Sequence, residues 1–387
     1  MGRTIMAIAV LIFLLCETGC STDIKQIERL NFANAIGIDF QDGEYYIYVQ
    51  LVSFQSVAKS EGPRQPAKTW VGKGNGKSFE DTFFRIYLTA QERIIWAHVT
   101  AIVFSENALK AGLAPVIDSI NRYQEFRMTP WVFATRGDVR EMLSVNGFYD
   151  KSPLSTILHA PIGTYSQSSN IEPMKLFTMV KDMTEPGNTT VIPVLKVNKE
   201  TWTMTDHKTD PKYEIEGAIF MKNTAFRAYI PLKKLNGLRW MQRGTVRAAV
   251  SLPSPEQMLV EVIMESPKAK VTLVNRGGQP QYKIDVRATG YVMYRENNAY
   301  PELSELTSET EKVIKEEIRQ LYDLGVRKKT DVLNLEHALY VKNNRLWKRA
   351  HPIEDYLSSE ELLKTIDVHV SITHSNASKN KRVNFPE

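Results

Sequence analysis

The spacing of hydrophobic positions changes repeatedly along the chain, and each change predicts an element. Ile5 to Leu15 form an unbroken apolar run behind Arg3. Farther on, Asn34 to Asp39 and the alternating Tyr45, Ile47, Val49 and Leu51 flank Gln41-Asp42-Gly43-Glu44. That arrangement predicts two strands joined by an Asp-Gly turn. Residues 58–68, with Gly62, Pro63 and Pro66, read as a loop. Ser78 can cap a helix with Asp81 three residues on, and Phe79, Phe83, Ile86 and Tyr87 recur at helical spacing. Arg93 to Phe104 reads as one buried strand with His98 inside it. A helix over Leu113 to Arg122, a strand over Thr129 to Thr135 and a short helix over Val139 to Leu143 follow. Alternation of this kind predicts a mixed N-terminal domain containing α/β structure.

Residues 144–212 are rich in Ser, Thr, Asn, Pro and Lys, with a helix near Met174 to Met183, and Asp206 to Lys212 reads as a linker. Beyond it the strands lengthen. Tyr213 to Met221 and Phe226 to Ile230 flank a turn at Lys222-Asn223-Thr224. Met258 to Glu265, Lys270 to Val274 and Tyr282 to Tyr294 predict an antiparallel meander, with turns at Ser266-Pro267-Lys268 and Gly277 to Pro280. A helix is expected from Ser308, capped with Glu311 and stopped by Gly325, then a second over Asp331 to Tyr340 and a closing strand over Thr365 to Thr373. The expected fold class is α+β and multidomain. A leader covers 1–19, the N-terminal domain 20–205, the linker 206–212, the C-terminal domain 213–375 and a polar tail 376–387.

The opening apolar run is shorter than the roughly 20 residues a membrane-spanning helix needs. It fits the apolar region of a signal peptide. Gly19-Cys20 closes it, and polar Ser21-Thr22-Asp23 follow. A small residue directly before a cysteine predicts cleavage between Gly19 and Cys20 and lipidation of Cys20. A conventional signal peptide cut without lipidation is the alternative. Glu17 stands where such leaders carry an aliphatic residue, and its charge weakens recognition.

Composition narrows the chemistry. Hydrophobic residues make up 43% and charged residues 24% of the 387, so wholesale disorder is excluded. The net charge of +5 is small for this length and forms no dense basic stripe, which argues against nucleic-acid binding. Cys16 and Cys20 are the two cysteines. The body beyond them therefore has no disulfide framework, cysteine nucleophile or thiolate metal site. Gly72 to Ser78 imitates a phosphate loop, but Gly72 stands one residue too near the Gly-Lys-Ser. His369 and His374, five residues apart at a strand end, face opposite sides, and no metal or other cofactor is expected. No catalytic set can be nominated from spacing alone. Trp240 and Trp347 are the candidate docking residues, with a place in the core as the alternative for each.

Several stretches together resemble the Ger(x)C family, the lipoprotein C subunits of spore germinant receptors. They are Cys20 with Glu28, Gly37-Ile38-Asp39, Gly76-Lys77-Ser78, Trp96-Ala97-His98 and Arg122 to Arg127, then Gly217-Ala218-Ile219-Phe220, Leu339-Tyr340 and Leu346-Trp347. The resemblance implies a non-enzymatic lipoprotein on the outer face of a spore inner membrane or cell membrane. It also implies two integral membrane partners, the receptor's A and B subunits, in a complex that responds to small nutrients. The competing reading is a solute-binding lipoprotein that hands a nutrient to a transporter. Such a protein needs two parallel α/β lobes around a hinged cleft, whereas the C-terminal strands here are joined by tight turns.

Overall fold

The computed structural model describes residue 2 and residues 30–53, 68–276, 279–296, 299–300, 302–350 and 362–373. The leader, Cys20, nearly all of the predicted loop 58–68 and the polar tail lie outside the described residues.

Strands β1 (Leu30–Gln41) and β2 (Glu44–Val52) form the expected hairpin. Asp42 and Gly43 turn it with φ of 51° and 80°, the left-handed pair that matches strand twist. Strand β3 (Thr69–Gly76) adds to β2 and leads into helix α1 (Phe79–Tyr87). Ser78 caps α1, its Oγ accepting from the Asp81 N–H at 3.1 Å.

The predicted strand over 93–104 is two strands, β4 (Arg93–Ile95) and β5 (Ala101–Ser105), separated by a tight turn at Trp96–His98. Both pair with β1. While β1 advances from Phe32 to Ala35, its neighbour advances from Ile95 to Ala101. The surplus residues form the turn that drops Trp96 into the core. His98, expected inside the strand, is instead exposed and edge-on to Phe32 at 4.8 Å.

Next come α2 (Glu106–Ala111), α3 (Ala114–Arg122), β6 (Trp131–Thr135), α4 (Val139–Met142), α5 (Ile162–Gln167), β7 (Met174–Lys175) and α6 (Leu176–Thr184). Strand β8 (Thr189–Asn198) falls in the stretch whose polar composition showed no strand pattern. It is followed by the hairpin β9 (Lys212–Lys222) and β10 (Ala225–Pro231). The ten strands form one sheet with the path β10-β9-β8-β6-β5-β1-β2-β3, β4 pairing with β1 and β7 with β6. β1, β5, β6 and β8 are mutually parallel, as helical crossovers require. Helices α1, α2, α3 and α6 cover one face, and α4 with the segment around Leu158 covers the other.

The second sheet follows α7 (Leu238–Met241). Strands β11 (Arg247–Leu252), β12 (Val260–Arg276) and β13 (Gln279–Arg295) are antiparallel. The predicted turn at 266–268 is a bulge inside a 17-residue β12, with Ser266 at φ 44° absorbing the extra residue. Helix α8 (Leu303–Arg327) begins before Ser308 and continues through Gly325. A Cβ at Gly325 would lie 2.7 Å from the Thr330 carbonyl oxygen, so this glycine permits a close chain return and does not stop the helix. Glu311, expected as a capping partner, accepts instead from the Val370 N–H at 2.8 Å. The predicted helix over 331–340 is α9 (Leu335–Lys342), with α10 (Asn344–Ala350) after it. Asp331 lies before α9, its carboxylate accepting from Leu335 and Glu336 at 3.0 and 2.8 Å. The closing strand β14 (Leu363–Ile372) joins β13 in parallel.

The β9–β10 hairpin serves both sheets' cores. Ile219 and Met221 pack under the first sheet, while Ala218, Phe220, Ala228 and Ile230 join the core of β11 to β14 and α8. Gly217 lets β10 cross closely, since a Cβ there would stand 2.4 Å from the Ile230 carbonyl oxygen.

Candidate functional site

Three of the sequence stretches noted above meet around α1. The Gly76-Lys77-Ser78 stretch starts that helix, and Thr82 and Asp81 crowd Gly76 so closely that no side chain fits there. Trp96 lies fully buried behind the helix and stacks edgewise on Phe83 at 4.6 Å. Tyr123 and Phe126, from the Arg122-to-Arg127 stretch, close the other side. The indole N–H of Trp96 donates to the Tyr87 hydroxyl at 2.7 Å, and that hydroxyl shares a hydrogen bond with Tyr123 at 2.9 Å. Burial, reinforced by the Tyr123 hydrogen bond, holds the Tyr87 phenol well above its ordinary pKa. On the rim, Arg93 pairs with Glu125 at 3.0 Å. This aromatic knot lies beside the start of β1, because Leu30 and Phe32 pair with Arg93 and Ile95.

The Gly37-Ile38-Asp39 stretch sits at the opposite end of β1. Asp39 accepts from the Ser105 hydroxyl and from the Phe40 N–H at 2.8 Å, and Ser105 also caps α2. A Cβ on Gly37 would come 2.2 Å from Val139, so the glycine makes room for α4. These residues tie strands to helices.

A buried histidine escaped the sequence reading. His159 stands among Ser, Thr and Pro residues without a periodic pattern. Its Nε2–H donates to Gln50 Oε1 at 3.0 Å, a direction set by the Gln50 amide nitrogen donating to the Leu143 carbonyl at 2.7 Å. Nδ1 then accepts from the Thr100 hydroxyl at 2.6 Å. Burial pushes the imidazole down to about 3, so it is neutral. It bolts the segment around Leu158 to β2 and to the residue just before β5.

The two candidate tryptophans divide. Trp240, offered as a docking residue, is fully buried and occupies the core alternative. Gly237 explains this: a Cβ there would stand 2.3 Å from the Glu317 carbonyl oxygen, so α7 lies directly on α8. The Trp240 indole donates to Glu317 Oε2 at 2.6 Å, and Arg239 pairs with the same carboxylate at 2.9 Å. Trp347 is half-buried beside the joint between the halves. Its indole donates to Glu336 Oε1 at 3.2 Å and its ring meets Tyr340 edgewise at 5.0 Å. Lys222, from β9, binds the other oxygen of Glu336 at 2.9 Å. Nearby, Asn334 and Thr189 exchange two hydrogen bonds of 2.6 and 3.1 Å. A polar groove beside this joint runs between α6 and the second half, lined by Lys175, Lys181, Asp182, Arg243 and His337. Burial raises the Asp182 pKa, opposed by Lys181.

Among the described residues no helix is long and apolar enough to cross a membrane. Nor does any cluster of three or more His, Cys, Asp or Glu there suit a metal ion.

Residues 23–197 match the spore germination protein N-terminal domain, and residues 215–376 match the spore germination B3/GerAC-like C-terminal domain. The chain belongs to this GerAC-like family, the Ger(x)C proteins. Spore germination protein B3 of Bacillus subtilis (strain 168) is 20% identical over 368 residues, covering 92% of this chain and 95% of that protein. The putative spore germination protein YfkR of the same organism is 22% identical over 305 residues, covering 75% of this chain and 77% of that one. The crystal structure of the GerBC protein superposes with a TM-score of 0.51 at 18% identity, covering 90% of this chain and 99% of that structure. That likeness confirms the mixed α+β fold.

Proposed function

We propose that this chain is the lipid-anchored, non-catalytic subunit of a nutrient germinant receptor, docking on two integral membrane subunits, A and B. The observation that carries the reading is the family match across both halves. Gly19-Cys20 behind the apolar leader supports the anchor, and the proposed location, which follows from the family, is the outer face of the spore inner membrane or cell membrane. The buried polar groups support a scaffold role: His159, Asp39 and Glu317 are each engaged in joining one element to another. The solute-binding alternative requires lobes that hinge. Here the hairpin β9–β10 sends side chains into both cores, and closing motion about it would disrupt packing.

Cys20→Ala tests the anchor. A folded body should leave the membrane fraction, because the acyl chains that give stable attachment are gone. Retention of that variant at parental levels, in a host lacking the receptor's other subunits, would sink the anchor. Recovery of the integral membrane subunits with the parent chain tests docking. Trp347→Ala is expected to reduce that recovery even at temperatures where the variant remains fully folded, and unchanged recovery with a lowered unfolding temperature would assign Trp347 to the core.

A further inference from the structure

Nine residues, 21–29, separate Cys20 from Leu30, the first residue of β1. At the full extension of roughly 3.3–3.6 Å per residue, the start of β1 stays within about 35 Å of the anchored cysteine. The surface around Leu30 is therefore the part of the described molecule whose distance from the anchor is most tightly bounded. Three of the most exposed large apolar side chains among the described residues border that surface: Leu88 at 85%, Phe84 at 68% and Phe177 at 62%. Each stands beside inward-facing neighbours. Phe79 and Phe83 fill the core while Phe84 points out of the same helix, and Leu176 is buried where Phe177 is not. Phe84 touches the Tyr87 ring of the knot at 6.2 Å between centroids, and the Phe177 N–H donates to the Met128 carbonyl at 2.9 Å, at the end of the knot's loop. Exposed Arg127 and Lys175 flank these three, and exposed Arg85 and Arg93 there pair with Asp81 and Glu125 at 3.7 and 3.0 Å. Lys175 lies over the Trp131 ring at 4.6 Å. Apolar tips beside long basic side chains and aromatic bodies match the boundary between headgroups and acyl chains.

We propose that this surface around the start of β1 rests on the bilayer, with Phe84, Leu88 and Phe177 at the headgroup–acyl boundary. The proposal builds on the lipid-anchor reading. It orients the molecule: β1 runs away from the membrane, and the Asp42-Gly43 turn points outward.

The body beyond Cys20 has no cysteine, so one introduced thiol carries one fluorophore. Leu88→Cys, Phe177→Cys and Gln41→Cys, each labelled with an environment-sensitive dye, are compared on vesicles of equal parts phosphatidylcholine and phosphatidylglycerol containing spin-labelled lipid. Gln41 is exposed at the far end of the same strand. Two forms are used: the full chain reconstituted through its own anchor, and a chain held by an N-terminal hexahistidine on nickel-chelating lipid. Quenching at positions 88 and 177 several-fold above that at 41, in both forms, is the expected result. The same pattern in the hexahistidine form alone would refute the anchor and leave the orientation standing. Equal quenching at 41 and 88, or none at 88 and 177 in the hexahistidine form, would overturn the proposal. Protection of 88 and 177 only when integral membrane subunits are added would overturn it too, and would assign the surface to protein.

Discussion

Trp96 and Trp240 lie at the hearts of the two halves, both fully buried and both donating an indole hydrogen bond, yet they are held differently. Trp96 donates to a neutral phenol from the adjacent helix, within a knot built from residues 79 to 126. Trp240 donates to a carboxylate 77 residues away that also binds Arg239. The knot around Trp96 is assembled largely from nearby sequence and from rings. The setting of Trp240 depends on a charged group brought in by α8 and mostly buried with its partner. A neutral network loses little when one hydroxyl is removed, whereas an isolated buried ion is expensive. The second half should therefore be the more brittle under polar substitution, and the first under aromatic truncation.

Truncation of either ring carries the largest expected effect. Trp96→Ala and Trp240→Ala should each cost about 3–5 kcal/mol in urea unfolding. If Trp240→Ala left stability unchanged, its assignment to the core would fail. The polar partners sharpen the contrast. Glu317→Ala should cost about 3 kcal/mol by stranding Arg239 and the indole, while Tyr87→Phe should cost about 1 kcal/mol. Equal losses for the two would erase the distinction drawn between the halves.

His159 provides a pH handle confined to the first half. Its folded pKa lies near 3, below the roughly 6.5 of an unfolded histidine. Between those values the unfolded chain binds the extra proton, so stability falls as pH falls. The loss from about pH 7 to about pH 5 should approach roughly 2 kcal/mol. His159→Gln should flatten this part of the profile, measured by urea midpoints across the range. A slope unchanged by the substitution would place the acid sensitivity elsewhere. An effect as small as that of Tyr87→Phe belongs to the hairpin tip, where Gly43 sits at φ 80° with open space around it. Gly43→Ala should cost about 1 kcal/mol, through backbone strain alone.

Features closed by near neighbours were legible from residue order. The Asp42-Gly43 turn, the Ser78 cap and the Asn223 turn each need only residues a few positions apart, whose backbone preferences and short hydrogen bonds act locally. The stretches resembling the germination family were legible too. The misread elements share a different origin. Ser308 and Glu311 spell a helix start, yet the helix had already begun, because Leu306 packs into the core and Glu311 is taken by β14. Ser266-Pro267 spells a turn, but the strands on either side continue pairing with β13 and turn it into a bulge. β8 carries Thr, Pro and Lys, and only its place between β6 and β9 makes it a central strand.

The sequence by itself determined the local turns and caps, the alternation that makes two sheets, the absence of cysteine chemistry in the body and the family. Tertiary structure alone decided that Trp240 is core and Trp347 half-covered, that His159 is buried and His98 is not, and that one hairpin serves both halves. The physical reason is range. A turn is selected by the conformational energies of the residues that form it. Burial is set by what packs against a residue from far along the chain, as Gln50 and Thr100 do for His159 and Glu317 does for Trp240.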